Sequence, residues 1–146
     1  MKLSSSSLVE VDRRRVFAAL VDPDVLCRLI PGCQTLALTG PDAYDATLKI
    51  GLAGLKGTYT GKATLSDTRP PDALTISFEG KGAPGFVRGS AAIALTEEGV
   101  GTRVSYDADV LVGGLIAAVG SRLIDAAARK LADDFFANLA RELKTG

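Results

Sequence analysis

From Cys33 to Val112 apolar side chains recur at every second position, and after Gly113-Gly114 the repeat lengthens to that of a helix and holds through Lys144. A period of two describes strands whose sheet has one dry face, and a period near 3.6 describes a helix with one apolar stripe. Neither surface is stable in water alone. The two patterns in one chain therefore predict a sheet whose dry face is covered by the terminal helix.

Turn residues divide the period-two region at Gly40-Pro41, Gly51 to Gly54, Arg69 to Asp72, Gly82 to Gly85 and Glu97 to Gly101. This punctuation predicts six strands joined by hairpins. Tyr44, Ala46, Leu48 and Ile50 share a face, as do Leu55, Tyr59, Ala63 and Leu65, while Lys49, Lys56, Lys62 and Thr64 take the other. Leu74, Ile76 and Phe78 alternate with Thr75, Ser77 and Glu79, and Val104, Tyr106, Ala108 and Val110 alternate with Arg103, Ser105, Asp107 and Asp109. Ahead of this region, Lys2 to Val11 is a further strand. Asp12 stands at a helix N-cap before Val16, Phe17 and Leu20, and Asp22-Pro23 opens a second short helix that Pro31-Gly32 ends. The terminal helix is expected from about Gly114 to Leu143, roughly 45 Å long at 1.5 Å per residue. Its stripe runs through Leu115, Val119, Leu123, Ala127, Leu131, Phe135 and Leu139.

The fold class expected is α+β: a curved, seven-stranded antiparallel sheet wrapped around a long C-terminal helix, with two short helices after strand one. Its 146 residues fit one domain. Glycines at 51, 54, 57, 80, 82, 85, 113, 114 and 120 serve turns and strong bends; they lack the Lys-Ser/Thr ending and helix context of a phosphate loop.

Composition removes several function classes. Seventeen basic and seventeen acidic residues cancel, which argues against nucleic acid as a partner. There is no histidine, and Cys27 and Cys33 have no zinc or CxxC spacing, so no metal site is expected and the thiols are read as structural. The polar Met1 to Glu10 is unlike a secretory signal, and Val110 to Gly120 is too short to span a bilayer, pointing to a cytoplasmic protein. Ionisable groups fall in turns or on wet faces, so no catalytic residue is assigned.

Small residues Ala117, Ala118, Gly120 and Ser121 leave the first half of the helix unable to fill the space above the sheet, whereas Phe135, Phe136 and Leu139 plug the other end. A cavity near the first half follows. The candidate ligand-binding residues on the strands are Tyr44, Leu48, Ile50, Leu55, Tyr59, Phe78, Phe86, Ile93, Tyr106 and Val110; the helices add Leu29, Leu115, Val119, Gly120 and Leu123. Each tyrosine is read either as a core residue bonded to backbone or as a donor to a ligand carbonyl.

The order of elements is that of the START-like, plant-allergen and polyketide-cyclase superfamily of helix-grip folds. The strings VFAALVDPDVLCRLIPGC (16–33), LAGLKGTYTGKATLSD (52–67), GKGAPGFVRGSA (80–91) and GTRVSYDADVLVGGLIAAVGSRLIDAAARKLADDFF (101–136) resemble the CoxG family of carbon monoxide dehydrogenase subunits over nearly the whole chain. That resemblance implies work beside a molybdenum hydroxylase of the carbon monoxide dehydrogenase type, connecting it with the membrane. Some members of the family carry an extra hydrophobic tail; this sequence ends at Gly146 without one, so the expectation is either a peripheral, transient contact at the inner face of the membrane or a purely soluble role. Joined with the cavity, it implies a carrier of an isoprenoid quinone or related lipid, held without a covalent bond. Two other functions compete: an adaptor or assembly factor whose interior is only a core, and a cyclase or hydrolase acting on a hydrophobic substrate.

Overall fold

The computed structural model describes residues 1–52 and 55–145. The chain runs β1 (Lys2–Val9), α1 (Arg13–Val21), α2 (Pro23–Leu29), β2 (Cys33–Gly40), β3 (Ala43–Ile50), β4 (Gly57–Arg69), β5 (Ala73–Gly82), β6 (Gly85–Glu98) and β7 (Gly101–Gly113). A short 3-10 helix (Gly114–Val119) and α3 (Ser121–Thr145) complete it. The strands form one antiparallel seven-stranded sheet in the order β1-β7-β6-β5-β4-β3-β2. Turn residues occupy the hairpins as expected; Gly54, within the turn expected at Gly51 to Gly54, lies outside the described residues.

Both helix starts are made by the aspartates that announce them. The Asp12 carboxylate accepts from the Arg15 amide at 3.0 Å, and Asp22 accepts from Asp24 at 3.0 Å and Val25 at 3.4 Å, with Pro23 in the first turn where its missing N–H costs nothing. Register then aligns the dry face across strands, setting Tyr44 opposite Ala63, Ala63 opposite Phe78, and Ile93 opposite Tyr106.

The terminal helix differs from expectation. It is broken at Gly120, whose φ of +98° belongs to glycine territory, so α3 begins at Ser121 rather than near Gly114 and is about 38 Å long. The six residues before the break wind as a 3-10 helix, tied to the β5–β6 turn by the Ile116 amide donating to the Pro84 carbonyl at 2.8 Å.

Candidate ligand site

What covers the inner face of the sheet divides it in two. At one end Tyr44, Leu65, Leu74, Ile93, Leu95 and Val104 meet Val16 and Leu20 of α1, Leu26 and Leu29 of α2, and Leu139 and Leu143 of α3 in one continuous buried core. Three ties hold α3 there: Asn138 Nδ2 donates to the Leu29 carbonyl at 3.0 Å, Arg15 to the Leu143 carbonyl at 3.0 Å, and Arg28 to Glu142 at 2.6 Å. Phe136 stacks on Tyr106 with ring centres 5.5 Å apart.

Toward the other end this core stops. Tyr59, Ile116 and Ala127 are buried but do not belong to it, and the inner-face side chains Leu48, Ile50, Phe78, Val110 and Val112 are only half-buried. Apolar groups on the concave face that stay reachable by water mark a helix that is not packed down upon them. Glycines widen the gap. Gly61 pairs with Gly80, Gly82 with Tyr59, and Gly89 with Phe78. A methyl group at Gly61, Gly82 or Gly89 would stand 2.1–2.3 Å from a carbonyl of the next strand, so the tight coiling of the sheet there requires glycine and removes side chains from the concave surface. This half-exposed apolar part of the concave face, next to the 3-10 helix, is the candidate recess.

The three inward tyrosines are not equivalent. Tyr44 donates to the Val21 carbonyl at 3.1 Å and Tyr59 to the Leu55 carbonyl at 2.6 Å, so both hydroxyls are occupied by backbone. The Tyr106 hydroxyl has no hydrogen-bond partner among the described residues. Burial raises the pKa of all three; Asp133 raises that of Tyr106 further and Arg129 opposes it, so each phenol is a neutral donor near pH 7. Asp133 itself is exposed and makes no hydrogen bond to Tyr106 among the described residues, so the two do not form a hydrogen-bonded acid–base pair.

Other residues singled out by pattern land differently. Leu48, Ile50, Tyr59, Phe78 and Val110 share the recess side, with Leu55 and Val119 half-buried near its mouth. Leu29, Tyr44 and Ile93 lie in the filled core instead. Phe86 is 40% exposed, on the outer face over Gly113; Leu115 is 74% exposed and Leu123 44%. Gly120 is exposed, and a methyl group there would meet no atom within 4 Å. The cause is the break at Gly120: a 3-10 turn rotates each residue by more than an α turn, and Ile116 rather than Leu115 faces inward. Ile116 was missed by carrying one helical period through the glycine; Ala127, on the expected stripe, is buried as the spacing implies.

Among the described residues no group of three or more His, Cys, Asp or Glu stands close enough to hold a metal ion. The Cys27 and Cys33 sulfurs are 2.8 Å apart as free thiols, and burial together with Cys27 pushes the Cys33 pKa up to about 12. Two open depressions of about 630 Å³ each lie on the outer face, lined largely by polar side chains such as Lys62, Glu79, Arg88 and Asp109 in one and Asp67, Arg69 and Asp107 in the other. No described helix is long and apolar enough to cross a membrane.

Residues 6–144 match the family model for CoxG, the carbon monoxide dehydrogenase subunit designated G. No curated protein matches the sequence. Among solved structures, a conserved protein from Geobacillus kaustophilus is 34% identical, with 99% of this chain and 96% of that one covered and a TM-score of 0.96. An uncharacterized protein from Rhizobium leguminosarum is 17% identical, covering 100% of this chain and 95% of that chain, with a TM-score of 0.76. Ara h 8.0201 is 14% identical, covering 100% and 99%, with a TM-score of 0.70. The last two establish the helix-grip fold and no more.

Proposed function

From the premise that this chain belongs to the CoxG family of carbon monoxide dehydrogenase subunits, we propose that it is a non-enzymatic carrier of an isoprenoid quinone or related lipid. In this reading it serves a molybdenum hydroxylase of the carbon monoxide dehydrogenase type at the inner face of the cytoplasmic membrane. One observation carries the reading: an inner face that is sealed around Leu139 but left half-exposed from Leu48 to Val110. Folding normally buries such surface, at about 25 cal/mol per Å². Leaving it open is consistent with a ligand completing the core.

Exchange with a bilayer is thermodynamically mild. A lipid tail moving between hydrocarbon and an apolar recess changes its environment little, so selectivity rests on the head group. A quinone carbonyl is an acceptor without a proton to give, and the uncommitted Tyr106 hydroxyl is a donor that matches it.

The test is uptake. Protein incubated with vesicles containing a long-chain ubiquinone, then re-isolated, should carry one quinone per chain by native mass spectrometry. At ligand a hundredfold above Kd, linkage adds about 2.7 kcal/mol and should raise Tm by roughly 5–10 °C. Folded protein that takes up no quinone or other lipid and shows no shift would be an adaptor instead.

A further inference from the structure

The chain's two cysteines stand at one corner, where α2 runs into β2. Cys27 is in the last turn of α2 and Cys33 is the first residue of β2; both are half-buried, and neither belongs to the sealed core. Their sulfurs are 2.8 Å apart as free thiols, and a further approach of less than about 1 Å reaches the ~2.0 Å of a disulfide bond. The sequence holds no third thiol to compete for either one.

The contact is held from both sides. Asn138 ties α2 to α3 by donating to the Leu29 carbonyl at 3.0 Å, and Arg28 does so through Glu142 at 2.6 Å. Between the cysteines, the Ile30 amide donates to the Leu26 carbonyl at 3.1 Å, the Cys33 amide to Ile30 at 3.1 Å, and the Lys49 amide of β3 to Gly32 at 2.8 Å. Gly32 has a φ of +79°, and a methyl group there would stand 2.3 Å from the Lys49 carbonyl oxygen, so the corner is pressed against β3 and needs glycine to turn. A frame that already sets two thiols in contact removes most of the ordering that ring closure otherwise costs, and so favours an internal disulfide over a mixed one.

We propose that Cys27 and Cys33 are a reversible redox site, a dithiol that a low-molecular-weight disulfide such as oxidised glutathione converts to an internal disulfide, locking the corner between α2 and β2. Exchange opens at Cys27, since burial and its neighbour hold the Cys33 proton in place. The Cys27 thiolate attacks one sulfur of the oxidant, whose S–S bond breaks and releases one small thiol. Cys33 then gives up its proton and attacks the Cys27 sulfur of the mixed disulfide, and the second small thiol leaves. Two electrons pass from the protein sulfurs to those of the oxidant, and both thiol protons go to the two small thiols. The new bond joins α2 to the strand position opposite Leu48, so the β2–β3 side of the candidate recess becomes covalently fastened to a helix.

Equilibration in glutathione buffers tests the site. After acid quenching and alkylation, intact mass should show two alkyl groups on wild-type protein in reduced glutathione and none in an excess of oxidised glutathione. Return to the reducing buffer should reverse the change, with mixed disulfides below about a tenth of the protein throughout. The amides of Ile30, Cys33 and Lys49 should exchange with solvent at least about threefold more slowly in the oxidised form. Cys33→Ser should accumulate a single glutathione adduct in the oxidising buffer and show no such slowing. Wild-type protein that stays fully alkylated, stops at glutathione adducts or cross-links to a second copy overturns the internal disulfide. Identical exchange at the three amides in the two forms overturns the locked corner.

Discussion

Tyr59 and Tyr106 carry the same phenol on the same face of the sheet, yet the Tyr59 hydroxyl is bonded to the Leu55 carbonyl and the Tyr106 hydroxyl to no described residue. Alternation along the strands was enough to place both inward. The partner of the Tyr59 hydroxyl was not legible, because it depends on where the Leu55 carbonyl is set against β4. The two substitutions should therefore separate. Tyr59→Phe should cost about 0.5–1.5 kcal/mol of stability by denaturant unfolding, with little change in quinone affinity. Tyr106→Phe should leave stability near wild type and weaken binding of a quinone more than of a hydrocarbon of equal length; equal losses would contradict head-group recognition. Titration gives a second residue-scale expectation. The Cys33 thiol, ordinarily near 9, is held up to about 12, and the tyrosines are raised above 10. Above pH 9 the unfolded chain thus releases protons that the folded chain keeps, so stability should be full below pH 9 and fall as pH rises toward 12. Urea midpoints flat across that range would contradict these environments.

Among the elements, the starts of α1 and α2 were readable to the residue because Asp12 and Asp22-Pro23 are local signals acting on adjacent amides. The break in the terminal helix was not, since Leu115, Val119 and Leu123 keep helical spacing straight through Gly120. Their pattern is satisfied locally while the backbone turns at +98°. The consequence for α3 is uneven anchorage. Its second half is fastened to α1 and α2 through Asn138, Leu139 and Leu143, whereas Arg129–Asp125 and Lys130–Asp134 near its start are pairs within the helix itself. Local opening should follow that difference. Native-state hydrogen exchange should find amides of residues 124–131 less protected than those of 136–143, and bound quinone should raise protection in the first group. Uniform protection along α3 would rule out a loosely seated first half.

At the scale of the molecule, hairpin signals and a single helical tail were sufficient for sheet order, because antiparallel neighbours joined by short turns leave few alternative topologies. Which half of the interior is filled was legible only as a tendency, through small residues before Ser121 and bulky ones near Phe135. Burial is collective, and no local pattern records it. Leu139, fully buried where α3 meets the sheet and both short helices, is the test of that filled half. Leu139→Ala should cost about 2–5 kcal/mol and lower Tm accordingly, and a loss well under 1 kcal/mol would refute close packing there.

The β1 strand, second residue to ninth, is paired among the described residues with β7 alone, with Leu3 opposite Ala108 and Val9 opposite Thr102. During synthesis it must wait for a partner about a hundred residues away, roughly 5–20 s at ordinary elongation rates. A strand held that long invites mispairing, and a run of four serines between Leu3 and Leu8 makes it a poor template for any strand but its own. Closure of the sheet then depends on one long-range encounter. Refolding from denaturant is thus expected on the millisecond-to-second scale of nonlocal β topologies, and substitutions in β1 should leave the earlier hairpins to form without it.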